Sequence, residues 1–426
     1  MKKLLYVVLD GLGDRPIKAL GNKTPLEAAE TPRMDNLAKN AKLGCVYTVG
    51  ENIAPESDVA VISILGYEAD KFYTGRGPLE SYAEGVEVKE GDLAYRVNFA
   101  TRESSSRKII DRRVGRSLTT EEASSLAREI NEKVKLKGAS FVFKNTVGHR
   151  GVLVIRKDKG KLSAEVTNTD PAYDKEGVYG VAKATFENVI QVASPTEESK
   201  DSSEALEAAR LTNEFVEASS KVLENSEINK KRKSEDKLPA NLILMRDAGD
   251  RLPKFPKINK LFNLKMGCFV EMPVERGIAL LTGMEIVKLP LPTKDLKKDY
   301  TLRAQKVQDA MKSYDALYIH IKGPDEPAHD GDYQKKKESI ELIDKYFFGE
   351  LLPGIDLNNV IITVTADHST PCDMKAHSGD PVPLMISGRG FPSDGLNAFS
   401  EKEAGKGSLG TLKGHELMKL FISFLG

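Results

Sequence analysis

Leu4 to Leu9 is a continuous apolar run that stops at Asp10-Gly11, the pattern of a strand covered on both faces. Asp10 therefore falls at a strand's C-terminal end, where the loops of open α/β sheets converge on a crevice. Leu242 to Leu244 before Met245, Ala316 to Ile321 before Lys322 and Val360 to Thr365 before Asp367 repeat the arrangement. Between such runs the spacing predicts helices, among them Glu27 to Leu37 behind Thr24-Pro25, and Leu302 to Met311. Strand alternating with helix implies an α/β core with a mostly parallel sheet and helices on both faces.

The stretch from 91 to 190 breaks this alternation. Leu93 to Phe99, Ser140 to Phe143, Gly151 to Ile155 and Leu162 to Val166 are short strand-like runs parted by Gly, Asn and Lys-rich turns, with a helix over Glu121 to Val134. They predict a smaller inserted α+β domain at 91–190, a discontinuous core domain at 1–90 and 191–426, and hinges near Glu84 to Gly91 and Val189 to Glu198. From Glu197 to Lys237 the chain is strongly charged, yet Leu206, Ala209, Phe215, Ala218, Val222 and Leu223 keep near-helical spacing. A long surface helix returning the chain to the core domain is expected there. Lys230-Lys231-Arg232-Lys233 at its end reads as solvated charge, because Glu235 and Asp236 follow at once.

A chain of 426 residues exceeds one ordinary hydrophobic core, in keeping with two domains. Lys plus Arg and Asp plus Glu are equal at 63 each, so no global field draws the protein to nucleic acid or membrane, and any anion site must be local. No apolar run approaches the roughly 20 residues that span a bilayer, and Asp10 cuts the first run short of a signal-peptide core. Cys45, Cys268 and Cys372 are scattered and odd in number, which suits neither a disulfide framework nor a thiolate metal site. A soluble cytoplasmic protein with a small-molecule partner is expected, with room for a homo-oligomer.

The chemistry concentrates in the last quarter, where His320-Ile-Lys322-Gly-Pro-Asp325-Glu-Pro-Ala-His329 precedes Asp367-His368 and His377. One helical turn would put Asp325 and His329 on the same face, and Pro327 is tolerated if that turn opens a helix. A single Asp-His neighbour is ordinarily a cap or an ion pair; their recurrence in loops after apolar runs is what favours metal. Oxygen and imidazole donors without thiolates point to Mn, Zn, Co or Mg. Ser57, in Ala54-Pro55-Glu56-Ser57-Asp58 before the apolar Val59 to Leu65, reads as an N-cap. There a hydroxyl meets free backbone amides that also welcome phosphate, and a nearby ion could activate it as a nucleophile. Arg112, Arg113 and Arg116 crowd one short turn, and His149-Arg150 precede a strand. Guanidinium forks suit the carboxylate and phosphate of a phosphorylated acid, and Lys322 stands close in sequence to the metal motif.

Together these residues resemble the alkaline phosphatase superfamily: Asp10-Gly11, Ser57 with Leu65-Gly66-Tyr67 and Tyr73-Thr-Gly-Arg-Gly-Pro78, Asp325 with His329, Asp367-His368 and His377. Asn98 to Thr101, Asp111 to Arg116, Asn168 to Pro171 and Pro273 to Gly283 narrow the resemblance to the archaeal type of 2,3-bisphosphoglycerate-independent phosphoglycerate mutase. It implies an alkaline phosphatase-like core, one metal among Asp10, Ser57, Asp367 and His368, and a second among Asp325, His329 and His377. It further implies interconversion of 3- and 2-phosphoglycerate through a phosphoserine on Ser57, without bisphosphoglycerate. Arg112, Arg113, Arg116, His149, Arg150 and Lys322 are the candidate substrate contacts. The alternatives are a metal-dependent phosphatase or another phosphosugar mutase of the same superfamily, and a non-catalytic metal-binding protein. Glu56 departs from the small residue expected before the nucleophile.

Overall fold

Strand after strand, the apolar runs ending in acidic or basic residues become neighbours in one sheet. The computed structural model describes residues 2–176, 179–183, 185–290, 292–293, 295–388 and 392–425. The chain divides into two compact units, residues 1–72 with 255–426, and residues 73–254.

The first unit holds an eight-stranded sheet in the spatial order Glu285–Ile286, Met266–Phe269, Ala316–Ile321, Lys3–Leu9, Val360–Thr365, Val382–Ser387, Ala41–Tyr47, Thr411–Lys413. All neighbours run parallel except Val382–Ser387, which is antiparallel to both of its own. Lys3–Leu9 is central, and Val8 pairs with His320 on one side and Thr365 on the other. The residues that follow, Asp10, Lys322 and Asp367, therefore leave the sheet side by side at its C-terminal edge. Every residue of Ala316–Ile321 and of Val360–Thr365 is buried, as expected of strands covered on both faces.

The other unit has a five-stranded antiparallel sheet: Ile109–Asp111, Leu93–Arg102, Arg150–Lys157 and Ala139–Asn145 in order, with Leu242–Gly249 also paired to Leu93–Arg102. Its apolar face is closed by the helices Thr120–Lys133 and Ser203–Glu224, which bury Leu126, Ile130, Leu211 and Phe215 against Phe99, Phe143 and Ile243. Each such side chain contributes roughly 1.5 to 3 kcal/mol when taken from water.

That packing corrects several expectations. Leu242 to Leu244 does not join the parallel sheet; it is antiparallel to Leu93–Arg102. The charged segment from 197 is not a single surface helix but Ser203–Glu224 and Glu227–Ser234, parted where the Ser226 hydroxyl accepts the Ile228 N–H. The chain passes between the units at residues 72–73 and 254–255, outside the expected 91–190, so both expected hinge segments lie inside the unit of residues 73–254. Arg232 is not solvated: it is buried, donating to the Leu238 carbonyl, the Ser117 hydroxyl and Glu122. Leu162 to Val166 forms no strand, only a bridge from Val166 to Pro195. Glu27 to Leu37 is broken into Pro25–Ala28 and Pro32–Ala38, since a proline at 32 disfavours helical backbone at Thr31. No helix among the described residues is long and apolar enough to cross a membrane.

Candidate functional site

Each of the central strands delivers its ligand-type residue within two positions of its end. Asp10 follows Lys3–Leu9, Lys322 follows Ala316–Ile321, and Asp367-His368 lie in the loop after Val360–Thr365. Asp325 and His329 share the helix Asp325–Asp330. Gly11 has a left-handed φ of 64° and gives its N–H to Asp367 Oδ1 at 3.1 Å. A Cβ there would lie 2.7 Å from the Asp325 carboxylate, so glycine is required where this loop turns through the site.

Ser57 is the first residue of the helix Ser57–Ile64, with Glu56 at the N-cap position. The expected N-cap role therefore passes to Glu56, whose side chain makes no capping bond. Ser57 Oγ lies 3.3 Å from His368 Nε2. The same Nε2 is 3.5 Å from Asp10 Oδ1 and 3.3 Å from Asp367 Oδ2. His368 Nδ1 meets the Thr370 hydroxyl, which donates to Asp325 Oδ1 at 2.8 Å. On the outer side, His329 Nε2 and His377 Nε2 are 3.2 Å apart and lie 3.4 and 3.6 Å from Asp325 Oδ1. The rings of His368 and His377 stack at 3.7 Å. All seven expected ligands of the first unit thus converge.

Two donor groups are close enough to hold an ion among the described residues: Asp325 with His368 and His377, and Asp10 with His320 and Asp367. The fit to a divalent cation rests on three buried atoms, Asp10 Oδ1, Asp367 Oδ2 and His320 Nε2, which have no hydrogen-bond partner. Oxygen and imidazole donors suit such an ion. His320 was not among the expected ligands; its signal in the sequence is a polar residue interrupting an otherwise apolar strand.

Electrostatics follow from this crowding. Burial opposes ionisation of Asp10, but Lys322 and His320 outweigh it and hold the carboxyl well below its usual range. Burial and then the Asp10 charge push Asp367 up to about 7. Burial and His377 bring His368 down to about 3. His377 rises to about 10 in spite of burial, through Glu56 and Asp325. Lys322 does not point into open space: its ammonium is 3.0 Å from Asp10 Oδ2 and 2.6 Å from Glu275 Oε1.

The unit of residues 73–254 gathers cations on the face of its sheet opposite the apolar core. Arg96 and Asn98 alternate with Tyr95, Val97 and Phe99 along Leu93–Arg102; Arg246 pairs across from Arg96, and Arg150 from Asn98. Arg76 and Glu80 join them from the helix Arg76–Ala83, with Arg76 Nε 2.7 Å from Glu80 Oε1. Arg246 packs its guanidinium 3.6 Å above the Tyr173 ring. The Nε atoms of Arg96 and Arg246 and Asn98 Oδ1 are buried without a hydrogen-bond partner. Arg96, Arg246 and Arg76 were missed as candidates, though the alternation of Arg96 and Asn98 with apolar neighbours carries the signal.

The expected contacts separate. Arg112 is spent on a bidentate pair with Asp170, at 2.8 Å for both bonds. Arg112 nevertheless lines the same pocket as Arg113, Arg116 and Asn188, at a turn where Val114, Gly115 and Arg116 all have left-handed φ. Asp111 Oδ1 holds this turn by accepting the N–H groups of Arg113 and Gly115 at 2.7 and 2.8 Å. His149 sits among cations: burial first, then Arg150, Arg113, Arg96 and Arg116, hold its pKa down at about 4.

The family described as 2,3-bisphosphoglycerate-independent phosphoglycerate mutase matches residues 38–229. A protein of that name from Aeropyrum pernix is 42% identical over 417 residues, covering 97% of this chain and 96% of its own length. Another from Thermococcus kodakarensis is 40% identical over 426 residues, covering 100% and 97%. Among solved structures, a protein from Pyrococcus horikoshii superposes with a TM-score of 0.79 at 32% identity, over 100% of this chain and 97% of that one. The cofactor-independent phosphoglycerate mutase of Thermoplasma acidophilum superposes at 0.64 and 31%, over 100% of both chains. A shared metal-site motif alone would leave residues 73–254 unmatched, whereas these likenesses run through both units; the chain belongs to the 2,3-bisphosphoglycerate-independent phosphoglycerate mutase family.

Proposed function

We propose that the chain interconverts 3-phosphoglycerate and 2-phosphoglycerate, a step of glycolysis and gluconeogenesis in the cytoplasm, through a phosphoserine on Ser57 and without bisphosphoglycerate. The observation that carries this reading is the place of Ser57, which opens a helix with its Oγ 3.3 Å from His368 Nε2, within a nest of carboxylates and imidazoles. Two divalent ions (Mn, Co, Zn or Mg), one among Asp10, Ser57, Asp367 and His368 and the other among Asp325, His329 and His377, would stabilise phosphoryl charge and lower the serine's pKa.

Ser57 Oγ gives up its proton and attacks phosphorus in line, the bond from phosphorus to the 3-oxygen breaks, and that oxygen takes up a proton, leaving phosphoserine and glycerate. In the return step the 2-oxygen loses its proton and attacks the same phosphorus, the Ser57 ester bond breaks, and Ser57 Oγ takes up a proton to restore the free hydroxyl and give 2-phosphoglycerate. Lys322, held between Asp10 and Glu275, offsets part of the carboxylate charge that an incoming phosphoryl group would meet. Arg96, Arg150 and Arg246, with Arg113, Arg116 and His149, supply the cations and donors that retain glycerate through its carboxylate. Arg112 orients their turn through Asp170. A phosphatase has no use for this additional anion site, which is why transfer within one substrate is the better reading.

Ser57→Ala should lose mutase activity by roughly a thousandfold or more in an enolase-coupled assay without bisphosphoglycerate. Chelation should abolish the wild-type activity, and added Mn or Co should restore it. Substantial mutase activity in Ser57→Ala would remove the nucleophile assignment; release of inorganic phosphate faster than 2-phosphoglycerate would favour a phosphatase.

A further inference from the structure

His320 lies outside the ligand set that the family resemblance implies, yet it has the surroundings of a ligand. It is 1% exposed, on the strand Ala316–Ile321 between Met266–Phe269 and Lys3–Leu9. Its Nε2 faces Asp10 Oδ1 at 3.9 Å and Asp367 Oδ2 at 3.6 Å, too far for hydrogen bonds. None of these three atoms has a hydrogen-bond partner, and the three residues bring one ligand atom each within 4.8 Å of one another. Leaving three buried polar atoms unpaired opposes folding, unless something else sits among them.

The other side of the ring is already anchored. His320 Nδ1 is 3.1 Å from the Tyr318 hydroxyl and 3.6 Å from Glu275 Oε1. Glu275, on the helix Pro273–Thr282, is 1% exposed and also receives Lys322 at 2.6 Å. A histidine that gives its Nδ1–H to a carboxylate or hydroxyl keeps the Nε2 lone pair for a cation, the arrangement typical of metal-bound imidazole. Lys322 occupies the other oxygen of Asp10, Oδ2, leaving Oδ1 directed at the same point as His320.

We infer that His320 is a further ligand, through Nε2, of the divalent ion held by Asp10 and Asp367, with Tyr318 and Glu275 as the groups that orient it. The inference rests on the two-metal reading above. It makes the strand Ala316–Ile321 contribute to the inner ion directly, in addition to placing Lys322 and Asp325.

The test is metal binding to the full-length protein, stripped with a chelator and titrated with Co(II), read by calorimetry and by the visible absorption of the bound cobalt. The wild type should take up two ions per chain. His320→Asn keeps a donor near the Nδ1 position and removes Nε2; one of its two ions should bind at least tenfold more weakly, with a changed cobalt spectrum. His320→Gln, which returns a donor atom near the Nε2 position, should recover part of the affinity. If His320→Asn does not fold, as judged by circular dichroism, His320→Gln alone is compared with the wild type, and an altered spectrum is still expected. Unchanged affinity and spectrum in a folded variant would overturn the inference while leaving two metals in place. Weaker binding with an unchanged spectrum would also overturn it, since His320 would then only position the carboxylates. A wild type that binds no divalent ion would instead defeat the two-metal reading itself.

Discussion

Arg96 lies buried beside Arg246 and Arg76, and burial together with those like charges holds its guanidinium down at about 10, although Glu80 pulls the other way. A folded-state pKa below the ordinary 12.5 means that the charged form is disfavoured by folding at neutral pH. Such a charge is retained at a cost to stability and suits a site awaiting an anion. Arg96→Gln should therefore leave the thermal midpoint unchanged or raised while lowering kcat/KM by roughly a hundredfold, about 2.7 kcal/mol of transition-state binding. Inorganic phosphate should raise the midpoint of the wild type more than that of the variant. A variant that is less stable yet fully active would contradict the cationic face as substrate site. His149 gives the matching pH dependence. Its folded pKa of about 4 lies below the ordinary 6.5, so the stability it contributes is present above pH 6.5 and lost as pH falls from 6.5 to about 4. His149→Asn should flatten the stability profile within that window, measured by urea unfolding at successive pH values. At this scale Asp10 and Asp367-His368 were legible as candidates, since they follow recognisable apolar runs, whereas His320, which interrupts one, was passed over. Arg96 and Arg246 were passed over too: the alternation of Arg96 and Asn98 with apolar neighbours marks one strand, but that Arg246 shares its face follows only from the cross-strand pairing.

The elements that carry the site are tied together by a buried lysine that no motif announces. Lys336, fully buried on the helix Tyr333–Leu342, donates to the Gly13 carbonyl, Asp14 Oδ2 and the Thr370 carbonyl, each at 2.9 Å. It thereby joins the loop after Lys3–Leu9 to the loop after Val360–Thr365, which present Asp10 and Asp367-His368. All three ammonium donors are satisfied. Lys336→Met would leave Asp14 a buried carboxylate without its cation, and should cost about 3 to 5 kcal/mol in denaturant unfolding; a loss under about 1 kcal/mol would show that the loops hold themselves. The strands of this layer could be read because buried parallel strands are continuous apolar runs. Helix ends and breaks were less visible. Thr31-Pro32 parts two short helices, and Ser226 starts a new helix that the spacing of apolar positions alone would run together with the one before it.

Across the whole chain, the two-unit organisation was legible from the change of pattern after residue 90, but its boundaries were not. The reason lies in Leu242–Gly249 and Ser203–Glu224. Leu242–Gly249 resembles another buried parallel strand, because its first four residues are a continuous apolar run buried in the core, as in a strand covered on both faces. Ser203–Glu224 resembles a surface helix, because its charged positions outnumber the Leu211, Phe215 and Leu223 that are buried in the core of residues 73–254. Partner choice, which local sequence does not encode, puts both elements in that unit. The composition argues against a global anion-attracting field, and the cations that the structure gathers are local, on the sheet face that carries Arg96, Arg150 and Arg246. The claim that joins these features, transfer through Ser57, can be measured on the residue itself. The intact, metal-loaded protein is incubated with phosphorus-labelled 3-phosphoglycerate, quenched in acid and digested, and the labelled peptide is sequenced by mass spectrometry. Label is expected on Ser57 in the wild type and nowhere in Ser57→Ala; a wild type that forms 2-phosphoglycerate with its label on another residue would contradict it.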